Sequence, residues 1–191
     1  MTPILGILAS GMSGNLWAPG KDFDSIATVT VGTATPTVTF TSIPSTYKHL
    51  QLRYIARGAR AAALDQVKIQ FNSDTGTNYV DHVLYGNGST AAAYSDGASA
   101  AFMYSPVFSG STANTNVFGV GVIDILDYSS TVKNKTSRML GGVDDNGSGW
   151  SFFGSGLWMN SANAISSITL TEAYGNNISV NSSFALYGIK G

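Results

Sequence analysis

The sequence predicts an all-β protein: a jelly-roll-like antiparallel β-sandwich of about ten strands with an extended N-terminal arm. Apolar and polar residues alternate in many short segments, turn residues separate these segments, and no long helical period occurs. Only 11% of the 191 residues are charged, and Glu172 is the single glutamate, whereas helix surfaces are normally rich in Glu, Lys, Gln and Arg. The strand count favours a jelly roll over a seven-stranded immunoglobulin sandwich.

The N-terminal arm comprises residues 1–22 in this prediction, and residues 23–191 form a single β-sandwich domain. No charge precedes Lys21, and three glycines interrupt the apolar run. The segment lacks the basic start of a signal peptide and is too short to span a bilayer, so no membrane insertion is expected. Because each large apolar side chain gains ~1.5–3 kcal/mol on full burial, we expect the arm to dock on another subunit through seven side chains: Ile4, Leu5, Ile7, Leu8, Met12, Leu16 and Trp17.

The body begins with two alternating segments, residues 25–31 and 37–41, whose five-residue connection predicts a hairpin. Residues 58–64 are Ala-rich and predict either a turn of helix or a surface loop. The run 117–126 is apolar on both faces, which indicates a central strand with Gly119 and Gly121 allowing close packing. Further strands are expected at residues 49–57, 66–71, 79–85, 101–108, 135–143, 150–159, 165–172 and 179–189.

Two local patterns carry more specific expectations. Residues 66–71 show the cleanest alternation, which places Val67, Ile69 and Phe71 inward. The sequence Asp145-Asn146-Gly147 predicts a tight hairpin turn between the strands on either side of it.

Catalytic motifs are sparse, and we expect the chain not to be an enzyme. His49 and His82 are its two histidines, and no serine has the glycine spacing of a nucleophile elbow. The carboxylate pairs Asp124/Asp127 and Asp144/Asp145 lack any sequence signal for the defined separation that glycoside hydrolysis needs. A hydrolase acting on surface polysaccharide, through His82 or a paired Asp, stays open as a third hypothesis.

No metal or other cofactor is expected. Residues 72–78 and 144–148 offer oxygen ligands and a glycine, as calcium loops do, but neither ends in the bidentate glutamate of an EF-hand. Turns require the same residue types, so the turn interpretation is favoured. The chain has no cysteine, which excludes disulfides and thiolate metal sites.

The charge balance argues against nucleic-acid binding. Ten basic and eleven acidic residues give a net charge of −1, without the basic footprint that phosphate-backbone binding needs. Arg53, Arg57 and Arg60 are close in sequence, but three such positions on a strand are expected to be ordinary solvated residues.

Aromatic residues at strand ends and loops are the richer signal. Exposed Tyr and Trp can stack on sugar rings, and they also anchor subunit interfaces. Tyr94, Trp150 and Trp158 are the candidate glycan contacts, and the remainder are expected in the core or at interfaces.

Several runs resemble small structural proteins of tailed bacteriophages. They include Pro3-Ile-Leu-Gly-Ile-Leu-Ala-Ser10, Val122-Ile-Asp-Ile-Leu-Asp-Tyr128, Ser155-Gly-Leu-Trp-Met-Asn160 and Ser183-Phe-Ala-Leu-Tyr-Gly-Ile-Lys-Gly191. Residues 25–32, 42–53 and 70–79 extend the similarity, in order, over nearly the whole chain.

The resemblance implies a virion component of the tail-fibre, minor-tail or head-decoration type, assembled in the host cytoplasm, with no catalytic motif to carry over. Its expected partners are other virion proteins (capsid, portal, tail or fibre subunits) and further copies of itself, a homotrimer being favoured. The alternative function is a carbohydrate-binding module that recognises host-surface glycans during host attachment.

Overall fold

The computed structural model describes residues 22–95 and 99–191, so the docking residues of the N-terminal arm lie outside the described part. Within it the chain is all-β, with no helix, and therefore no helix that could cross a membrane. The fourteen strands in these two ranges are β1 (Phe23–Thr30), β2 (Thr37–Phe40), β3 (His49–Ala56), β4 (Leu64–Asp65), β5 (Val67–Phe71), β6 (Tyr79–Gly86), β7 (Ala91–Ser95), β8 (Met103–Tyr104), β9 (Phe108–Ser109), β10 (Gly119–Ile125), β11 (Lys135–Asp144), β12 (Gly149–Trp158), β13 (Ile168–Glu172) and β14 (Ser183–Ile189).

These strands form three antiparallel sheets. The large sheet has eight strands in the order β1-β14-β3-β10-β11-β12-β6-β7, and the small sheet has four in the order β2-β13-β5-β8. The strands β4 and β9 form a separate two-stranded sheet. Every pairing between these strands is antiparallel.

The core lies between the large and small sheets, because alternate residues of each sheet point into it. Val67, Ile69 and Phe71 on β5 are buried, which confirms the inward face predicted for this strand. The ring of Phe71 lies 5.6 Å from that of Trp158 on β12, measured between centroids, so the two sheets are in direct contact. The result is a sandwich-like body around one hydrophobic core.

The two layers differ in width, and this difference positions the candidate site. Eight strands face four, and at one end of β12, β6 and β7 the inward-facing side chains Trp150, Tyr85 and Tyr94 are not fully buried. The β4–β9 sheet packs against β3, β10 and β11. The Ala-rich segment 58–64 leads into β4 as a loop, not as a turn of helix.

The predicted hairpin between residues 25–31 and 37–41 is wrong. β1 pairs with β14 in the large sheet, whereas β2 pairs with β13 in the small sheet. Alternation indicates which face of a strand is buried, but it does not specify the neighbouring strand. Here the connection between β1 and β2 crosses from one layer to the other.

The expected strand over 101–108 is also wrong in part, because it divides into β8 and β9, which belong to different sheets. Pro106 lies between them and has no N–H to donate to a continuous ladder. β4 and β7 were not predicted; together with the division of 101–108 they raise the eleven expected segments to the fourteen observed strands.

The prediction of a central strand at 117–126 is confirmed, because β10 lies between β3 and β11. Only one of its faces is covered, however, since Val120 is 52% exposed. The predicted turn at 145–147 is confirmed as well: it joins the paired strands β11 and β12, and Asn146 and Gly147 have φ values of 51° and 106°.

Candidate functional site

The outer face of the large sheet carries a row of outward-facing apolar side chains. Leu84, Phe153, Leu140 and Val122 are direct neighbours across β6, β12, β11 and β10. Ile55 and Val120 face each other one step further along β3 and β10. We call these six side chains the apolar face.

The apolar face is large for a surface in contact with water. Leu140 is 62% exposed, and Leu84, Phe153, Val120 and Ile55 are each close to half exposed. Beside it, a groove of about 830 Å³ follows the backbone of Gly141 and Gly142, because glycine has no side chain to fill this space. Contiguous exposed apolar surface of this kind is typical of protein–protein contacts.

A polar row borders the apolar face along the strands. Asp124 accepts hydrogen bonds from the Gln51 amide and the Arg138 guanidinium, each at 2.6 Å. The Arg53 guanidinium in turn donates to the side chain of Gln51 at 2.6 Å and lies over the ring of Tyr187. Asp124 and Arg138 thus form an ion pair within the row, while Arg53 contacts an amide and a ring.

The inner face of the same strands, at the end where it is not fully buried, forms an aromatic cleft of about 240 Å³. We define the aromatic cleft by Tyr85, Tyr94, Trp150 and Tyr174 together with Asp65 and Gln66. The rings of Tyr85 and Trp150 are stacked, with centroids 4.3 Å and planes 12° apart, and Tyr94 lies 6.1 Å from Tyr85.

The opposite wall of the aromatic cleft comes from two loops. Tyr174 follows β13, and the guanidinium carbon of Arg60 lies 3.5 Å from the centre of its ring. Arg60 also donates to the Leu64 carbonyl at 3.2 Å. Gln66 is 7% exposed, and no hydrogen bond joins its side-chain amide to another described residue. This amide is therefore a donor and an acceptor that a ligand in the cleft can reach.

A buried pair of carboxyl groups holds these loops together. The side chains of Asp65 and Glu172 are both buried, with the two residues 1% and 2% exposed. Burial raises the pKa of Asp65 to about 7, and the neighbouring Glu172 carboxyl group acts in the same direction. Asp65 consequently keeps its proton to higher pH than an exposed aspartate, because its charge would be buried beside a second carboxyl group.

The backbone contacts of the pair reach three residues that line the cleft. Asp65 accepts from the Gln66 amide nitrogen at 2.8 Å and from that of Arg60 at 3.3 Å. Glu172 accepts from the backbone N–H of Tyr174 at 3.0 Å and from that of Asn176. The carboxyl pair thus positions Arg60, Gln66 and Tyr174 relative to one another.

The structure brings together two of the three predicted glycan contacts. Tyr94 and Trp150 both line the aromatic cleft. Trp158 does not: it is fully buried, its ring stacks on Tyr79, and its Nε1–H donates to Asp74 at 2.8 Å. A ring enclosed by the core cannot stack on a sugar, so Trp158 is corrected to a core residue.

The other candidates from the sequence lie in separate surroundings. Asp127 binds Lys133 and Lys48, whose hydrogen bonds lower its pKa, and its backbone N–H donates to His49. His82 is exposed on the outer face of β6, four strands away from β3 in the large sheet. Asp124 belongs to the polar row, so the structure does not combine these groups into one site.

The two loops considered for calcium have internal partners for their carboxylates. Asp74 accepts from the Gly76 N–H, the Asn78 amide and Trp158. Burial would raise the pKa of Asp74, but these hydrogen bonds outweigh it and lower the pKa. Asp145 accepts from the backbone of Asn114 at 2.8 Å. Among residues 22–95 and 99–191 no three metal-ligating side chains form a cluster.

The three arginines do not form a phosphate site, and Arg57 is not the solvated residue expected for it. Its guanidinium donates to the carbonyls of Ala113, Asn114 and Val117 at 2.7–2.8 Å. Arg53 lies in the polar row and Arg60 at the cleft, each with partners of its own.

Sequence reasoning missed Asp65, Gln66 and the whole apolar face as candidates. Tyr85 and Tyr174 could have been found, because both are aromatic residues near strand ends, the pattern that pointed to Tyr94 and Trp150. Asp65 and Glu172 are separated by more than a hundred residues, so nothing in the local sequence shows that they meet.

The sequence matches no protein-family model, and a search of curated proteins finds no match either.

Proposed function

We propose that this protein is a non-enzymatic structural component of a tailed-phage virion, a surface appendage, fibre or decoration protein docked by its N-terminal arm. The resemblance of the sequence to small phage structural proteins motivates the proposal. The observation that carries it is the apolar face, because a rigid body with an uncovered apolar sheet is suited to packing against other subunits.

The occupant proposed for the apolar face is a second copy of this chain. Its six side chains carry no charge, and Asp124 and Arg138 of the adjoining polar row form an ion pair with each other. Two identical apolar faces can therefore pack against each other without burying a charge from within either face, as a symmetric homo-oligomer allows. A trimer is the state that the phage resemblance favours.

The strand order supports a jelly-roll assignment for the body. Eight strands taken in chain order, β1, β2, β3, β5, β8, β10, β13 and β14, pair first with last, second with seventh, third with sixth and fourth with fifth. Such nested pairing corresponds to one long antiparallel ribbon folded over into two sheets, as in jelly rolls. β11, β12, β6 and β7 would then be additions that widen one sheet.

Deleting residues 1–16 tests the docking role of the arm. We expect the shortened protein to keep its β-sheet circular dichroism and thermal transition but to be absent from purified particles. The full-length protein, supplied from the same expression system, is the control. Normal incorporation of the shortened protein would refute arm-mediated docking.

A charged substitution on the apolar face tests self-association. Leu140→Asp should convert the oligomer to monomer in sedimentation velocity, because burying an unpaired carboxylate in an apolar contact is unfavourable. Ser155→Asp adds the same charge on the neighbouring strand, outside the apolar face, and should leave the oligomer intact. An unchanged oligomer in Leu140→Asp would contradict the proposed contact.

Carbohydrate binding is the second candidate function, favoured by the meeting of Tyr94 and Trp150 at the aromatic cleft. A glycan array probed with the full-length protein tests it directly. Absence of binding to any glycan at high protein concentration would count against this candidate and leave the structural role unaffected.

A further inference from the structure

The dimensions of the aromatic cleft limit what it can hold. Its volume of about 240 Å³ is below the ~300–1,000 Å³ range usual for drug-sized ligands. The cleft therefore accommodates one small ring and excludes an extended chain. Tyr94 and Tyr174, 37% and 45% exposed, leave it open to solvent.

The walls of the cleft combine flat apolar rings with a few polar groups. Tyr85, Trp150 and Tyr94 come from three adjacent strands, and rigid aromatic side chains on strands lose little entropy when a ligand binds. The Gln66 amide offers both a donor and an acceptor, and no hydrogen bond joins it to another described residue. A ligand in the cleft can therefore hydrogen-bond to it without breaking a contact within the protein.

The charged groups at the cleft already have contacts within the protein. The guanidinium of Arg60 lies over Tyr174 and donates to the Leu64 carbonyl, and Asp65 is 1% exposed and its carboxyl group accepts two backbone hydrogen bonds. A ligand in the cleft therefore meets mainly aromatic rings and neutral polar groups. A neutral molecule with one apolar ring face and a rim of hydroxyl groups fits this combination.

We infer that the aromatic cleft binds a single neutral hexopyranose ring, stacked on its aromatic wall and hydrogen-bonded to Gln66. This inference rests on the second candidate function and specifies its ligand. The sugar would be the end residue of a glycan, because the cleft has room for only one ring.

Saturation-transfer NMR with the full-length protein tests the inference, using methyl glycosides of glucose, galactose and mannose as probes. At least one of them should give transfer to its ring protons. Glucitol carries similar hydroxyl groups without a ring, and glucuronate carries an added charge, so both should bind at least about tenfold more weakly. Equal binding of glucitol would overturn the stacking argument, and equal binding of glucuronate would overturn the argument for a neutral ligand.

Two variants and a matched control locate the binding. Tyr94→Ala and Trp150→Ala should each weaken the affinity about tenfold, because each removes an aromatic contact. Tyr94 lies on an exposed edge strand, so its replacement should leave the fold intact even if that of Trp150 does not. Phe23→Ala removes an exposed aromatic side chain from β1, at the opposite edge of the same sheet and outside the apolar face, and should bind like the unchanged protein.

Two further results would overturn the inference: no binding of any neutral hexoside, or unchanged binding in Tyr94→Ala. Neither affects the incorporation of the protein into particles. The structural proposal and the sugar-binding proposal therefore fail separately.

Discussion

The ring of Tyr54 occupies the space that a side chain at position 121 would fill. A Cβ built on Gly121 would lie 2.2 Å from Cζ of Tyr54, and the Tyr54 hydroxyl donates to the Pro106 carbonyl at 2.6 Å. The absence of a side chain at this central position of β10 thus lets β3 place a tyrosine in the core. The close packing expected for Gly121 from the sequence is confirmed.

Gly121→Ala should destabilise the protein by about 1–3 kcal/mol, because the buried ring of Tyr54 has to move and overpacked cores lose stability of this order. Urea denaturation followed by tryptophan fluorescence measures the change. Gly32→Ala is the matched control, since a Cβ at position 32 meets nothing within 4 Å. Equal stability of the two variants would contradict the packing described for Tyr54.

Asp65→Asn should change how the free energy of unfolding depends on pH. The pKa of Asp65 is about 7 in the folded protein, above its unfolded value of 3.8, so the folded state keeps a proton that the unfolded chain releases. The stabilising effect is complete below the unfolded pKa and is lost as the pH rises through the folded pKa.

Between pH 4.5 and 8 the unchanged protein should therefore lose about 1–3 kcal/mol relative to Asp65→Asn, whose amide does not ionise. Urea titrations at four pH values in this range measure the difference. Parallel pH profiles for the two proteins would show that the fold does not raise the pKa of Asp65.

Asp74→Asn should have the opposite pH dependence. The carboxylate accepts three hydrogen bonds, including one from the core residue Trp158, and its folded pKa lies below the unfolded value. Its stabilising effect is present above the unfolded pKa and is lost as the pH falls through the folded pKa. We expect a loss of about 1–3 kcal/mol at pH 7, and a smaller one in acid.

Thermal and urea denaturation at pH 7 and at the acid limit of folding measure this effect. Asp144→Asn is the control, because Asp144 is exposed and caps only the backbone of Asn146 in the hairpin turn. If the stability lost in Asp74→Asn did not depend on pH, the effect would come from altered packing or hydrogen-bond geometry and not from the charge of the carboxylate.

The strands could be predicted from local alternation, but their partners could not. Val67, Ile69 and Phe71 face the core as the period of two requires, and the Asn146-Gly147 turn fixes its own hairpin. The alternation in β1 and β2 would also suit a hairpin between these two strands, yet β1 pairs with β14 and β2 pairs with β13. Nothing in either strand encodes that distant partner.

The candidate site was predictable only in part, and for a related reason. Tyr94 and Trp150 could be proposed from their residue types, but the carboxyl pair depends on two loops that meet only in the folded protein. On β12, Phe152 and Phe153 are consecutive, so one had to face outward. The sequence does not say which, and the apolar face therefore became visible only with the register of the large sheet.

The aromatic cleft and the apolar face lie on opposite sides of the same strands, with Trp150 and Phe152 of β12 turned inward and Phe153 outward. Each surface can consequently change by substitution without altering the other. Insertions and deletions are different, because one added residue in the middle of β12 would reverse every side chain beyond it. Natural variants of this protein should therefore differ more in the exposed side chains of β6 and β12 than in the lengths of these strands.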